Sequence, residues 1–257
     1  MSQVAAVADK VFKESLRDRM VLFWTYAVPL FFLLILPVMY TRAPPSIMSS
    51  LKGGLTLTMA SFLMMTAGQS NIPGSVAADK ERGLYLKMAS MPVSPWREGM
   101  GRVIATWAFS LIGAAIVFVS GLIYGAEFNT GCLRVVEAAG FGFLVALSSV
   151  GVGFIIATLV KGESAATHTG VALTLLTYFL GGMALPYEQL PEALKIFARL
   201  YPIPSANASM IQLLVGEPYV GYNPLTMLQT SSTVVLSLLI FLVGLASYSR
   251  YCWRERS

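Results

Sequence analysis

Residues 21–40 of the chain read VLFWTYAVPLFFLLILPVMY, a run without a single charged side chain. An α-helix rises 1.5 Å per residue, so about 20 apolar residues are needed to cross the roughly 30 Å hydrocarbon core of a bilayer. The run also lacks the period-two alternation of a barrel strand. It therefore predicts a transmembrane helix.

Five more segments of similar length and apolarity follow along the chain. With the first, the predicted spans are Val21–Tyr40, Gly53–Ile72, Gly101–Gly125, Val135–Val160, Ala165–Leu185 and Leu228–Ser249. Of the 257 residues, 56% are apolar and 12% are charged, about half the charged fraction of a soluble domain. These observations predict an all-α integral membrane protein with six transmembrane helices in one domain, residues 1–257.

The distribution of lysine and arginine predicts how the spans are oriented. Thirteen of the 18 basic residues fall on the side of both termini, the second loop and the fourth loop, and five fall on the other side. By the positive-inside rule, both termini lie in the cytoplasm of a multi-pass protein of the cell membrane. The basic residues flank apolar blocks rather than alternate with aromatic ones, so the net charge of +5 does not indicate nucleic-acid binding.

Residues 1–20 combine an apolar face with charges on the other face. The apolar positions at helical spacing are Val4, Val7, Val11, Phe12 and Leu16. This pattern predicts an amphipathic helix in the cytoplasmic membrane interface, the alternative being a frayed, solvated tail.

The cytoplasmic loop at residues 77–92 predicts a short helix between the second and third spans. Its acidic residues come first and its lysine comes late, the order that a helix dipole favours, and Pro92 ends it. Leu84, Met88 and Met91 fall on one face. Such a helix could dock into a groove on a soluble partner, or it could simply be an ordered loop.

A second short segment, residues 186–204, follows the fifth span. Pro191 suits a first helical turn, and Leu190, Leu194, Phe197 and Leu200 form an apolar face. The segment is too short to span a bilayer, so it is predicted to lie in, or dip into, the outer interface.

The 77–92 loop resembles the permeases of type 2 ATP-binding-cassette (ABC) exporters. The positions that match that family in order and spacing are Glu81, Arg82, Gly83, Pro92, Val93, Ser94, Trp96, Gly101 and Arg102. The chain departs from the family where Leu84-Tyr85-Leu86 replaces the usual Thr-Leu-Glu. The outer segment, with its Pro-x-x-x-Leu-Pro opening, also resembles an element of that family, an external re-entrant helical pair.

The resemblance implies a type 2 ABC exporter fold and a role for each segment. The loop helix would be the coupling helix that rests on the ATPase, with Glu81, Arg82, Gly83, Tyr85, Lys87, Met88 and Pro92 as its contact residues. The re-entrant segment would form the external gate or cargo exit, with Pro186, Pro191, Phe197, Tyr201 and Pro202. Partners would be two copies of an ABC ATPase subunit and a second permease, as a homodimer or a heterodimer.

The chain has no G-x-x-x-x-G-K-[ST] sequence to cradle nucleotide phosphates. ATP and magnesium are therefore expected on the partner, and this chain is predicted to be a transport subunit without cofactors rather than an enzyme. An apolar or amphipathic cargo is expected, such as a drug, a lipid or a lipid-linked glycan, moving along the interface between two permeases.

Ion-coupled transport is the main alternative, together with an ABC permease for ions. Ion-coupled carriers place ionisable residues within the membrane. This chain offers His168, Arg134 and Glu137 near predicted span ends, and the last two are spaced to form an ion pair. An intramembrane metalloenzyme is disfavoured, because a single histidine cannot supply a histidine cluster.

Overall fold

A computed structural model describes residues 2–39, 45–90, 93–128, 131–185, 187–216 and 220–252, and these ranges are helical without a strand. The helices are α1 (Gln3–Arg17), α2 (Arg19–Leu22), α3 (Val28–Met39), α4 (Pro45–Thr66), α5 (Ile72–Glu81), α6 (Leu84–Ala89), α7 (Pro95–Ile123), α8 (Cys132–Leu159), α9 (Glu163–Leu180), α10 (Glu192–Leu200), α11 (Pro202–Leu214) and α12 (Met227–Ser247). A 3₁₀ turn at Tyr187–Gln189 precedes α10.

Four of the described helices are long and apolar enough to cross a membrane: Arg19–Met39, Pro95–Ile123, Cys132–Leu159 and Met227–Tyr251. They overlap the predicted first, third, fourth and sixth spans. The predicted second and fifth spans are helical, in α4 and α9, but they are not among the four. Both carry buried polar side chains, among them Gln69 and Thr174, which lower their apolarity. The count of six spans stays a prediction.

π-helical turns interrupt two of the predicted spans. Phe23–Ala27 joins α2 to α3, and Ala67–Asn71 joins α4 to α5. The two turns touch, because the Asn71 side chain donates a 3.0 Å hydrogen bond to Thr25 Oγ1. Turns of this kind occur often at functional sites.

The core lies around α8, which packs against α11, α12 and the π turn at Ala67–Asn71. Backbones approach closely there: a Cβ on Gly153 would lie 2.0 Å from the Gly68 carbonyl oxygen, and one on Gly244 would lie 2.2 Å from that of Gly151. Without a hydrophobic driving force between spans, such approach gives helices their packing energy. Gly151 and Gly153 are therefore packing residues.

The N-terminal residues form α1, with the Ser2 hydroxyl capping its first turn. The helix lies along α7, where Val7 packs against Gly101 and Val11 is buried. It is therefore a docked helix in this structure. Its position in the membrane interface stays a prediction.

Candidate functional site: an ionic cluster beneath the short helix α6

A buried carboxylate joins three helices at the α6 end of the molecule. Asp79, on α5, is almost fully covered. Its carboxylate accepts hydrogen bonds from Lys10 of α1 at 2.9 Å and from Arg102 of α7. Burial by itself would raise the pKa of Asp79, but the charges and hydrogen bonds of Arg102 and Lys10 outweigh burial and lower it. Asp79 is therefore an ionised buried group.

Arg102 extends the cluster along α7. Its side chain is 1% exposed, and its Nε donates to Glu98 Oε1 at 2.5 Å while another nitrogen donates to Ser75 Oγ at 2.9 Å. The spacing of four residues places Glu98 and Arg102 on one face of α7. Two cations, Lys10 and Arg102, thus balance two anions, Asp79 and Glu98. Three of the four are buried, and Lys10 is partly exposed. We call these four residues the ionic cluster.

Two tyrosines connect the ionic cluster to α6 and to the end of α12. The Tyr248 hydroxyl donates to Glu98, and it lies 2.6 Å from the Tyr85 hydroxyl. Because a carboxylate can only accept, Tyr248 uses its proton on Glu98 and accepts the proton of Tyr85. The chain of hydrogen bonds therefore runs from α6 through α12 into the buried charges.

The local backbone explains why Tyr85 points inward. Gly83 has a φ of +69°, a left-handed conformation that glycine adopts without strain. It lies between the end of α5 at Glu81 and the start of α6 at Leu84. The single helix predicted over residues 77–92 is therefore two helices with a break between them. The break turns the start of α6 toward the core. There, Tyr85 and Met88 belong to one apolar cluster with Val76, Val103 and Leu245.

The residues predicted to contact an ATPase divide into two sets. Tyr85 is buried and Met88 is half-buried in the chain's own core. The exposed set consists of Glu81, Arg82 and Lys87. Leu86, between them in sequence, is also exposed, with 59% of its surface uncovered. Glu81 also accepts the backbone N–H of Glu163 at 2.9 Å, the first residue of α9, where an anion suits the helix dipole. Pro92 lies outside the described residues.

The residues predicted for an external gate lie around α10 and the start of α11. Pro191 precedes α10 as its N-terminal cap, and Pro202 is the first residue of α11. The Phe197 ring stacks on Tyr201 with centroids 5.2 Å apart. Pro186 lies outside the described residues. The structure brings the other four together in one segment, and their role as a gate stays a prediction.

An apolar groove of about 540 Å³ opens on the surface of the chain. Its walls come from the first predicted span, α4 and α9, and include Phe23, Trp24, Phe31, Phe62 and Leu175. Three of these, Phe23, Trp24 and Phe31, leave about half of their surface uncovered. Thr66 and Thr174 are the polar exceptions in the lining. The groove suits apolar groups of drug or lipid size.

The ionisable residues considered for ion coupling lie elsewhere. His168, Arg134 and Glu137 are all exposed. The predicted ion pair between Arg134 and Glu137 is wrong, because in the described part of the chain neither residue enters an ion pair and Arg134 lies instead against Gly131. Within the described ranges, no three His, Cys, Asp or Glu side chains come together as a metal site.

Sequence reasoning missed most of the ionic cluster. The helical pattern of residues 1–20 indicates Lys10 only as one charge on the polar face, and no motif singles out Glu98 or Tyr248. One local signal was available, since Glu98 and Arg102 stand four residues apart inside a helix that soon becomes apolar. The other contacts join residues 23 to 163 positions apart, so no local pattern indicates them.

In the described part of the chain, the helical architecture with four long apolar helices is that of an integral membrane protein. A model of the ABC-2 type transporter family matches residues 2–215, so the chain belongs to that family. It is an integral membrane protein and the permease subunit of an ABC transporter, whose family implies association with an ABC ATPase subunit. A search of curated proteins found no match.

Proposed function

We propose that this permease is an exporter in which α6 receives the motion of a separate ATPase and passes it into the membrane helices through the ionic cluster. The observation that carries the proposal is the hydrogen-bond chain from Tyr85 on α6 through Tyr248 to Glu98. Separating a buried charge from its partner is costly, since an unpaired buried ion costs several kcal/mol. A displacement of α6 would therefore move α1, α5, α7 and α12 together rather than break their contacts.

The contact with the ATPase is proposed for the outward face of α6. Arg82, Leu86 and Lys87 are free to meet a partner, whereas Tyr85 and Met88 hold α6 to its own chain. A central apolar residue with charged neighbours is the usual composition of a docking contact. Residues 81–88 would thus face two ways, toward the ATPase and toward the cluster.

Substitutions on the two faces of α6 test this division. Leu86→Ala should reduce co-purification of the ATPase subunit and cargo-stimulated ATP hydrolysis while the permease stays folded. Leu159→Ala is the matched control, because Leu159 lies at the end of another helix and is also uncovered, at 70% against 59% for Leu86. Equal loss of ATPase binding in both variants, or none in Leu86→Ala, would refute the proposed contact.

The cargo is proposed to be apolar or amphipathic and to move along the apolar groove where two permeases meet. The groove is bounded by the first, second and fifth predicted spans, and its lining contains almost no polar atoms. An apolar cargo entering sideways from the inner leaflet would meet Trp24 and Phe31 without crossing a charged surface. A second permease would complete the wall of the groove that a single chain leaves open. Two ATPase subunits would complete the transporter.

Cross-linking tests the path. In a chain freed of Cys132 and Cys252, single cysteines at Trp24, Phe31 and Leu175 should cross-link between neighbouring permeases. Locking this interface should stop export while the complex stays assembled, and a cysteine at Leu133, which is uncovered on α8 away from the groove, should not cross-link. Full export through a locked interface would place the path within one subunit.

The orientation can be tested on the same background. Cysteines at Ser90 and Glu188, both exposed, should react with impermeant reagents from the inside and the outside respectively. Labelling of Glu188→Cys from the inside alone would overturn the proposed topology, in which both termini face the cytoplasm.

A further inference from the structure

The two ends of the apolar groove differ in the residues that lie beyond them. Along the first predicted span, the lining begins at Phe23 and ends at Phe32. These residues are nine positions apart in a helix, so this wall is about 13 Å long at 1.5 Å per residue. Beyond Phe32 the span stays apolar as far as Met39, whereas four residues before Phe23 it reaches Arg19. We call the end beside Arg19 the basic end of the groove.

Two hydrogen bonds place α9 and the first predicted span at the same depth near the basic end. The Asn71 side chain donates to Thr25 Oγ1 at 3.0 Å. The neighbouring Ser70 hydroxyl donates to the Thr167 carbonyl oxygen at 3.4 Å. Thr25 and Thr167 therefore lie at about the same height on the two walls. Trp24, which precedes Thr25 and lines the groove, is thus level with the first turns of α9.

His168, the next residue of α9, lies on the groove side of that helix. Val171 and Leu175, which line the groove, come three and seven residues later, a spacing that keeps all three side chains on one face. His168 is exposed and lies just beyond the apolar lining. Ser164, one turn earlier, is exposed as well. The α9 wall thus becomes polar at the depth where the lining of the first span begins.

Arg19 occupies the corresponding place on the opposite wall. The backbone N–H of Phe23 donates to the Arg19 carbonyl oxygen, so Arg19 lies one helical turn before the first lining residue. It is exposed, and its guanidinium is a permanent cation with planar donors. The adjacent carboxylate of Asp18 accepts two backbone N–H groups at the start of the same helix. The basic end therefore offers accessible donors from both walls.

We propose that the cargo of the apolar groove is an anionic amphiphile, whose apolar chain lies in the groove and whose oxyanion head is held at the basic end by Arg19 and His168. Arginine donors match an oxyanion in two parallel hydrogen bonds, and the imidazole supplies one more donor. The chain enters sideways between the spans, and the head stays outside the lining. The inference rests on the proposed function, since it requires that the groove carries cargo, and it adds the charge of the head.

Quenching of Trp24 fluorescence by a brominated chain measures binding inside the groove. The full chain is placed in bilayer discs of zwitterionic phospholipid, and the probe is an alkyl phosphate with bromine in its chain. The alcohol with the same brominated chain is the neutral control. Trp24→Phe gives the background from the other three of the four tryptophans. At equal content in the bilayer, the phosphate should reach half-quenching at about tenfold lower content than the alcohol.

Substitutions at the basic end should affect only the anionic probe. Arg19→Gln should raise the half-quenching content of the alkyl phosphate about fivefold, the usual contribution of one basic residue near an anionic lipid. His168→Ala should raise it about threefold. Arg19→Lys keeps the charge but not the planar donors and should recover part of the affinity. Lys13→Gln, which removes an exposed cation paired with Asp9, should behave like the wild type.

The alcohol separates a failure of this inference from a failure of the groove itself. Unchanged quenching by the alcohol shows that each variant is folded. If neither compound quenches Trp24, the groove holds no apolar chain, and both this inference and the proposed cargo path are wrong. If both compounds quench equally, or if Arg19→Gln and His168→Ala bind the phosphate like the wild type, the anionic head alone is overturned.

Inorganic phosphate tests whether the chain is needed. At the same concentration as the alkyl phosphate, it should leave quenching unchanged, because it has no apolar chain to place in the groove. Full displacement of the probe would show an anion site that works without the groove, and it would overturn the proposal.

Discussion

At the α6 end, five buried side chains and the partly exposed Lys10, from five parts of the chain, form a continuous network of charges and hydrogen bonds. At the α10 end, the contacts include aromatic stacks, an arginine lying on two rings and an exposed ion pair within α10. Ionic contacts of buried groups break at high cost, whereas stacked rings slide at low cost. The comparison indicates a stiff base at α6 and an adaptable cap at α10, joined by the nearly continuous helix from Pro45 to Glu81.

The largest effect is expected from Arg102→Ala, which removes the buried cation of the ionic cluster at the α6 end. Asp79 and Glu98 would stay buried with one cation fewer, so the free energy of unfolding should fall by about 3–5 kcal/mol. Denaturant titration of the detergent-solubilised chain measures it. Arg97→Ala is the control, because Arg97 is exposed on the same helix, and it should change stability by less than about 0.5 kcal/mol. Equal losses would mean that the ionic cluster does not stiffen the base.

A smaller effect is expected from the tyrosine pair that joins α6 to the base. Tyr85→Phe and Tyr248→Phe should each cost about 1–2 kcal/mol, since each leaves a buried polar partner unsatisfied. Because the two hydroxyls bond to each other, the double variant should lose less than the sum of the singles, by at least about 0.5 kcal/mol. Tyr251→Phe, at an exposed tyrosine, should be neutral. Strict additivity would contradict the hydrogen-bond chain.

The adaptable cap should respond more weakly still. Phe197→Leu removes the stack on Tyr201 but keeps an apolar side chain, so the free energy of unfolding should fall by about 1 kcal/mol. Ile196→Leu, at the adjacent exposed position, is the matched control. A loss as large as that of Arg102→Ala would remove the distinction between the two ends.

The smallest effect near neutral pH is the titration of Asp79. Its folded-state pKa is lowered from 3.8, so its contribution to stability is complete above the unfolded value and is lost as pH falls through the lower, folded value. Thermal unfolding should therefore be flat near neutral pH and steepen below about 4. Asp79→Asn should abolish that steepening, and Asp9→Asn, an exposed carboxylate, should preserve it. The same acid dependence in wild type and Asp79→Asn would assign it to other groups.

Apolar runs predicted the main helices well. Val21–Tyr40 corresponds to Arg19–Met39, because a membrane span is specified by its own length and apolarity. The short loop helix was predicted at the right place, but it was predicted as part of one continuous helix. Gly83 was read as part of a helix, whereas its left-handed backbone separates two helices.

The faces of the loop helix could not be predicted for a different reason. A charged residue such as Asp79 reads as exposed unless its partners are known, and Lys10 and Arg102 lie 69 and 23 positions away. Tyr85 likewise depends on Tyr248, 163 positions later. Local periodicity carries no information about such pairs, so the candidate site was found only in part.

These long separations have a consequence for the order in which the protein is made. Lys10 is synthesised well before Asp79, and Glu98 is followed by 150 residues before Tyr248 exists. During synthesis, α1 can join α5 and α7 once the third predicted span is in place, but the network stays incomplete until the sixth predicted span has emerged. The Tyr248 contact therefore closes after the rest of the ionic cluster, and α6 is fully anchored only from that moment.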